Sequence, residues 1–422
     1  MNDLIKSRFV RRRSRFATLA STAALAALLA ACGSSSHTST PTSTGSSGTT
    51  AATGSSSTAA TGSTIQIGDI ADESGPCLPA PTSDQANTLS AWQSYTNSHG
   101  GIAGHPVKVT VIDTQCNPAN AAAAAATLIS DHVVAIIDGT SLDSAFQKDV
   151  DAAKIPVICG IQDGNGFTCQ ADANFFPSGT TVLAGIYGNM YAAKQAGATS
   201  YGVIYCTEVA ACKQALPVFQ GFAKALSLNF PQPVSASETA PNYTAACIAM
   251  QQEHADAVFG AGPPSQKLAD SCAQQNFKPI YAQSMGTWQA AYLKDANLDG
   301  STGDTAVAPW FYQGSATATF QAIESKNLAS TNWPYNVSTT YAAALLIQTA
   351  LANTGASPTS SDLYTALYAM KNQTLGGFTP PLTFTQGKPT TVNCFFLVQI
   401  KSGQFTAPEG ATPACEPAAG AG

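Results

Sequence analysis

Val133-Val134-Ala135-Ile136-Ile137, the turn Asp138-Gly139-Thr140-Ser141, a helical stretch over 144–153 and the run Pro156-Val157-Ile158 decide the fold. An uninterrupted apolar run of strand length suits a strand covered on both faces, which points to a parallel sheet between helices. The pattern extends upstream. Residues 65–70 read as a short strand ending in the turn Ser74-Gly75-Pro76, and 83–98 as a helix with Ser83 placed to cap it and Gly100-Gly101 to close it. Residues 107–112 alternate as a strand, and 120–130 form an alanine-rich helix. The alternation restarts downstream, with helices over 182–196, 214–226, 243–253 and 265–275. Strands over 201–205, near Val234 and over 257–259 separate them. This spacing predicts an α/β protein of two doubly wound parallel-sheet lobes. In such sheets ligands bind beyond the carboxyl ends of the strands, so a cleft between two lobes is the natural site.

Several short motifs follow one another along this body. Ser74-Gly75-Pro76 comes after the first strand, and Asn97-Ser98-His99-Gly100-Gly101-Ile102-Ala103-Gly104 precedes the second. Asp113 is followed by Cys116-Asn117-Pro118 and the alanine-rich helix; Tyr341-Ala342-Ala343 lies on a late helix, and Leu382-Thr383-Phe384 precedes Gly387. In this order, over about 65–405, the chain resembles the type I periplasmic solute-binding proteins, in their branched-chain amino-acid (Leu/Ile/Val) receptor-like branch. The resemblance implies three crossings between the lobes, near 176–181, 308–313 and 386–392, which together make a three-strand hinge. The first lobe would comprise about 65–178 and 312–387, and the second about 179–311 and 388–415. It further implies lobe closure on a small-molecule solute and delivery of that solute to an ABC permease. A monomer without a cofactor is the expectation.

The amino terminus reads as an address. The first fifteen residues carry six positive charges and one negative, and 16–31 are apolar, short for a membrane span and right for a secretory signal. Leu29-Ala30-Ala31-Cys32 resembles the bacterial lipobox, so 1–31 would be a lipoprotein signal peptide and Cys32 the acylated first residue. Residues 33–64 contain 26 Ser, Thr or Gly among 32 and no Asp, Glu, Lys or Arg. Such a segment cannot bury enough apolar surface to offset its ordering entropy and should act as a tether. It would span roughly 30 Å root-mean-square and about 100 Å at full stretch. The expected location is extracytoplasmic, bound to the bacterial cell membrane through the lipid alone.

The whole chain has a formal charge of −6, and only 10% of its residues are charged. Without the basic leader the remainder is more acidic still, which excludes nucleic acid as a partner. Setting Cys32 aside leaves ten cysteines: Cys77, Cys116, Cys159, Cys169, Cys206, Cys212, Cys247, Cys272, Cys394 and Cys415. An even number in an exported chain reads as disulfides. Sequence does not select among the connectivities. Sequential pairing is the expectation, because 159/169 and 206/212 bracket short loops, and Cys77–Cys116 is its least secure member.

In the amino-acid-binding branch, hydroxyls and backbone N–H groups of the first lobe hold the ligand carboxylate. The corresponding loops here are Asp138-Gly139-Thr140-Ser141 and Cys159-Gly160-Ile161-Gln162-Asp163. Thr140 and Ser141 are neutral donors before a helix amino terminus, although they could equally cap that helix. Ser74 and Gln162 join them as ligand-binding candidates. Asp163 stands where the family often has a hydroxyl; it would repel a carboxylate, hold a cation or simply shape a turn. In the second lobe the family's ammonium-binding acid falls at about Met285, within Ala282-Gln283-Ser284-Met285-Gly286-Thr287-Trp288. A buried ammonium without its partner costs several kcal/mol. Asp163 or Glu208 would have to supply the charge, or the ligand lacks an ammonium. Met285 and Trp288 suit an apolar ligand body or the core between the lobes, and Tyr205 and Pro263 fall on the rim. The expected ligand is an amino acid or a related small carboxylate or amide.

Enzyme chemistry finds little support. The five histidines show no metal-site spacing, and there is no G-x-S-x-G elbow, phosphate loop or H-E-x-x-H. Asp295-Ala296-Asn297-Leu298-Asp299-Gly300 fits half of an EF-hand loop, but Ala306 occupies the position that needs a bidentate Glu, so a plain turn is expected. The alternative function is a sensory or interaction lipoprotein that uses the same fold without transport.

Overall fold

The structure is a computed structural model that describes residues 60–78, 82, 84–160, 167–208, 210–326 and 335–417. The expected signal peptide over 1–31, Cys32, most of the expected tether over 33–64, Ser83, Gln162 and Asp163 lie outside the described residues.

The first sheet contains β1 (Ile65–Ala71), β2 (Val107–Asp113), β3 (Ala135–Gly139), β4 (Val157–Cys159) and β5 (Phe175–Pro177). All are parallel in the order β2-β1-β3-β4-β5, so the chain reverses direction across the sheet between β1 and β3. One face is covered by the helix Pro118–Ser130. Asn117 caps it by accepting from the Ala119 N–H at 2.8 Å, and Pro118 opens it where no N–H is needed. Its alanines permit close approach: Ala121, Ala124, Ala125 and Leu128 are buried, and a β-carbon on Gly68 of β1 would overlap Leu128. The other face is covered by the helices Asp84–Ser98 and Tyr335–Ala350, joined by Trp92 Nε1–H donating to Gln348 Oε1 at 2.8 Å. At the base of this lobe, Gly62 N–H donates to Gly104 O at 2.9 Å, and His105 Nδ1 lies 2.8 Å from Ser63 O. The end of the Ser/Thr/Gly-rich segment is therefore already attached to the body.

The second sheet holds β6 (Tyr201–Cys206), β7 (Val234–Ala236), β8 (Ala257–Ala261), β9 (Ile280–Gln283), β10 (Thr302–Thr305), β11 (Cys394–Lys401) and β12 (Gln404–Thr406). Its order is β12-β11-β10-β9-β8-β6-β7, and β13 (Ala414–Cys415) pairs with β11. Strands β6 to β10 are parallel, as the alternation predicts for β6, β7 and β8, whereas β11, β12 and β13 add an antiparallel margin. The cause is topological. β10 runs toward the first lobe before leaving the sheet, and β11 starts where the chain returns, so the two must run in opposite senses. Helix Val182–Gln195 packs across β9, β10 and β11, with Gly185 and Gly188 making room for Met285 and Phe395.

Three chain segments join the sheets, and hydrogen bonds hold them side by side. Thr180 N–H donates to Ala306 O at 3.0 Å, and Thr181 N–H donates to Val392 O at 3.2 Å. The Thr180 hydroxyl donates to Cys394 O at 2.7 Å. Gly179 is needed here, because a β-carbon would lie 2.6 Å from Ala306 O. β5 and β10 both enter these crossings from their carboxyl ends, so both parallel sheets turn their carboxyl edges toward the hinge.

Among the described residues there are five disulfides: Cys77–Cys116, Cys159–Cys169, Cys206–Cys212, Cys247–Cys272 and Cys394–Cys415. Among the described residues no helix is long and apolar enough to cross a membrane.

Candidate functional site

The carboxyl edge of the first sheet is lined by acids. β1 carries Asp69 and runs into Asp72 and Glu73, while β3 ends in Asp138-Gly139 and leads to Thr140, Ser141 and Asp143. Asp69, Asp72, Glu73, Asp138 and Asp143 are all buried. Asp72 is the best satisfied: the Thr140 hydroxyl lies 2.9 Å from each of its oxygens, the Thr114 hydroxyl donates to it as well, and Ser141 N–H approaches at 3.4 Å. Glu73 Oε1 accepts the Ala86 N–H at 2.9 Å, where the helix amino terminus favours negative charge. Asp113, closing β2, binds the loop from beneath, accepting from Glu73 N–H at 3.0 Å, Ser74 N–H at 3.1 Å, the Ser74 hydroxyl at 2.5 Å and Gln115 N–H at 2.9 Å.

These environments separate the carboxyls electrically. Burial, reinforced by Glu73, pushes Asp69 well above the usual carboxylate range. Burial and then Asp143 push Asp138 well up, and burial pushes Asp143 up to about 6. Glu324, buried at the end of helix Ala318–Glu324, is raised to about 7 by burial and by Asp84. Asp113 moves the other way. Burial tends to raise it, but the donors led by the Ser74 hydroxyl outweigh that and hold it low. The charges acting on Asp69, Asp138, Asp143 and Glu324 are all negative.

On the carboxyl edge of the second sheet, Glu208 follows β6. It accepts the Ser237 hydroxyl at 2.5 Å, Thr207 N–H at 3.0 Å and Glu238 N–H at 3.2 Å, and these bonds, the hydroxyl first, hold its pKa low. The Cys206–Cys212 disulfide fastens this loop to helix Ala210–Gln214.

The structure brings several sequence candidates to this region but gives them other tasks. Ser74 donates to Asp113, and Thr140 donates to Asp72 with Ser141 N–H beside it, so the expected carboxylate donors face protein carboxylates. Tyr205 is half-buried in β6 against the second core, and Pro263 is buried beside Gly260. Met285 and Trp288 are 2% exposed and pack in the hydrophobic core, the second of the two environments expected for them. Met285 fills the space left by Gly185, and Trp288 Nε1–H donates to Asp304 O at 2.8 Å. Sequence reasoning missed Asp69, Asp72 and Glu73, whose signal was a charge inside an otherwise apolar strand and an acid pair soon after it.

Two tight Cys/acid groups occur among the described residues, Asp72 with Cys77 and Cys116, and Glu238 with Cys206 and Cys212. In both the sulfurs are joined in disulfides and offer no thiolate to a metal. The EF-hand-like stretch is a turn: Asp295 Oδ1 accepts Asn297 N–H at 2.9 Å, and Asp299 Oδ1 accepts Gly403 N–H at 3.1 Å.

Comparison with known proteins agrees with this architecture. No curated protein matches the chain in sequence. A fatty acid ABC transporter substrate-binding protein from Thermomonospora curvata superimposes with a TM-score of 0.67 at 20% identity, covering 83% of this chain and 92% of its own. A branched-chain amino acid ABC transporter protein from Thermus thermophilus with bound valine gives 0.68 at 15% identity, covering 84% and 97%. A solute-binding protein of an ABC transporter from Rhodopseudomonas palustris BisB5, in complex with 3,4-dihydroxybenzoic acid, gives 0.63 at 19%, covering 82% and 95%. These likenesses show the fold. Residues 64–404 match the family described as periplasmic binding protein, and with two α/β lobes hinged by three crossings, the chain belongs to that family.

Proposed function

We propose that the protein is the extracytoplasmic solute receptor of an ABC importer, closing two lobes on one small molecule and carrying out no covalent chemistry. The observation that carries this reading is the arrangement of the sheets: both parallel sheets present their carboxyl edges to a hinge of three bonded crossings. That geometry gathers loops from both lobes around one cleft and lets closure exclude water from it. The signal peptide over 1–31, acylated Cys32 and the tether over 33–64 would hold a monomeric receptor near its permease. The lobes would be bounded as the family resemblance implies.

For the solute, an amino acid or a related small carboxylate or amide is the starting expectation. A free carboxylate is the least favoured of these, since the hydroxyls of Thr140 and Ser74 already serve Asp72 and Asp113. Small-angle X-ray scattering of the disulfide-bonded protein, titrated with a panel of amino acids, amides, amines and carboxylic acids, tests the reading. One class should contract the molecule saturably, and a curve that no solute alters would refute a receptor role. Labelling of growing cells with a fatty-acid analogue tests the anchor separately. Incorporation should vanish in Cys32→Ser.

A further inference from the structure

We propose that His105 is a proton-operated pin. While both ring nitrogens carry protons, it fastens the end of the Ser/Thr/Gly-rich segment to the first lobe; loss of one proton releases that end. Among the described histidines, His99, His132 and His254 are exposed, whereas His105 is 5% exposed. Its ring lies between two backbone carbonyls from distant parts of the chain, with Nδ1 2.8 Å from Ser63 O and Nε2 3.0 Å from Gly355 O. A neutral imidazole has one N–H, so in either tautomer the other nitrogen would turn a lone pair toward a carbonyl oxygen. The Ser63 hydroxyl, 3.3 Å from Nδ1, does not remove that conflict. Ser63 O lies closer to the same nitrogen, and the hydroxyl has Ala356 O as its own acceptor at 3.2 Å. Only the imidazolium donates to both carbonyls, and a charged donor makes the stronger bond.

The surroundings are shaped for this ring. A β-carbon on Gly62 would lie 2.5 Å from Nδ1, so glycine is what lets the segment pass this close. The backbone of His105 is held by paired hydrogen bonds with Ile102, at 2.9 Å in each direction, across a turn that opens with Gly101 at a φ of 72°. The three segments bonded here, 60–64, 100–106 and 351–359, contain no charged residue besides His105. The nearest along them are His99, the exposed Lys108 and Asp362, whose carboxylate is occupied by the Thr359 N–H at 2.9 Å and hydroxyl at 2.7 Å. Carbonyl oxygens thus hold the ring, and the pin follows its protons. When one leaves, the Ser63 side gives way. Gly355 sits between the turn Leu351–Asn353 and helix Ser360–Ala369, whereas the other bonds of Gly62 and Ser63 among the described residues are Gly62 N–H to Gly104 O and the Ser63 hydroxyl to Ala356 O. Fraying stops at Ile65, whose N–H donates to Pro106 O at 2.8 Å as β1 begins. In a chain anchored through Cys32, release adds residues 62–64 to the tether, about 10 Å of reach. That consequence rests on the anchored reading above; the pin itself does not.

The test is nuclear magnetic resonance of the nitrogen-labelled, disulfide-bonded protein between about pH 5 and about pH 8, the span over which histidine ordinarily changes charge. Correlations between ring nitrogens and their protons count the protons on His105; exposed rings exchange theirs with water too fast to be seen. Backbone amide relaxation reports the order of Gly62 and Ile65. The expected result is two ring N–H signals in acid and the loss of one as pH rises. Gly62 should become mobile in step with that loss while Ile65 stays ordered. His105→Ala should remove both ring signals and leave Gly62 mobile at every pH. Should that variant fail to fold, the proton count of the unaltered protein still decides. One ring N–H throughout with Gly62 ordered, two throughout, Gly62 mobile throughout, or loss of a proton with Gly62 still ordered overturns the proposal. The anchor is judged separately: lipid labelling that survives Cys32→Ser removes the consequence for the tether and leaves the pin.

Discussion

Thr140 places its hydroxyl 2.9 Å from both carboxylate oxygens of Asp72, and through that contact the end of β3 is tied to the loop that leaves β1. Thr114 donates to the same carboxylate from beyond β2, so three strand ends share one acceptor. A hydrogen bond to a buried charged group contributes about 1.5–3 kcal/mol, and the group left behind is costly when its donor is removed. Thr140→Val should therefore lower the unfolding free energy by about 1–3 kcal/mol, while Thr140→Ser should restore most of it. Chemical denaturation with an unchanged denaturant slope reads this directly. Equal stability of the valine and serine variants would show that the contact contributes nothing.

The buried acids predict an unusual pH profile. Asp143, raised to about 6, and Glu324, raised to about 7, have folded pKa values above their unfolded ones. Their contribution is complete below the unfolded value of about 4 and is lost as pH rises through about 6 and 7. Asp113 has the opposite sign: its lowered pKa contributes stability that disappears as pH falls through the folded value, in the acid range. The melting temperature should peak in acid, at about pH 4, and fall toward about pH 8. Glu324→Gln should flatten the alkaline limb. A profile rising from mild acid to neutrality would contradict the assignment of these groups.

Much of this architecture was legible because strands buried on both faces leave a strong trace. Val133–Ile137 and residues 201–205 read as strands, and each stands within or beside a parallel strand of its lobe. The antiparallel margin β11–β13 left less trace, since its direction follows from where the chain recrosses the hinge and not from local pattern. Phe175–Pro177 was missed as a strand because only the five-residue helix Phe167–Ala171 separates it from β4, too short to mark another turn of the alternation. The site was less legible than the fold. Thr140 and Ser141 were correctly assigned to the carboxyl edge, but the partner of Thr140 is Asp72, 68 residues away, and no local spacing reports such a contact. Met285 was read by family position, while its environment is set by a glycine on a distant helix.

That environment gives Met285 a simple test. Its side chain occupies the space opened by Gly185 and is 2% exposed. Met285→Ala should cost about 2–5 kcal/mol through lost burial and a residual cavity, whereas Met285→Leu conserves volume and should cost less than about 1.5 kcal/mol. Differential scanning calorimetry without any solute is sufficient. A stable alanine variant would return Met285 to the cleft lining.

The disulfides should differ in what they contribute. Cys247–Cys272 spans 25 residues and joins helices Thr244–Gln252 and Ser265–Ala273, with both cysteines fully buried. Cys206–Cys212 spans only 6 and fastens the loop carrying Glu208. A cross-link restricts the unfolded chain in proportion to the logarithm of the loop, so the longer bridge should contribute about 3–4 kcal/mol and the shorter about 2 kcal/mol. Replacing each pair by alanine and unfolding in denaturant tests the order. Because the shorter bridge lies at the lip of the cleft, its loss should also loosen the Glu208 loop, accelerating amide hydrogen exchange at Thr207 and Glu238, whose N–H groups donate to that carboxylate. Loss of the longer bridge should leave that local exchange unchanged. If both double variants lost equal stability and neither altered exchange at the lip, loop length and position would not govern what these bridges do.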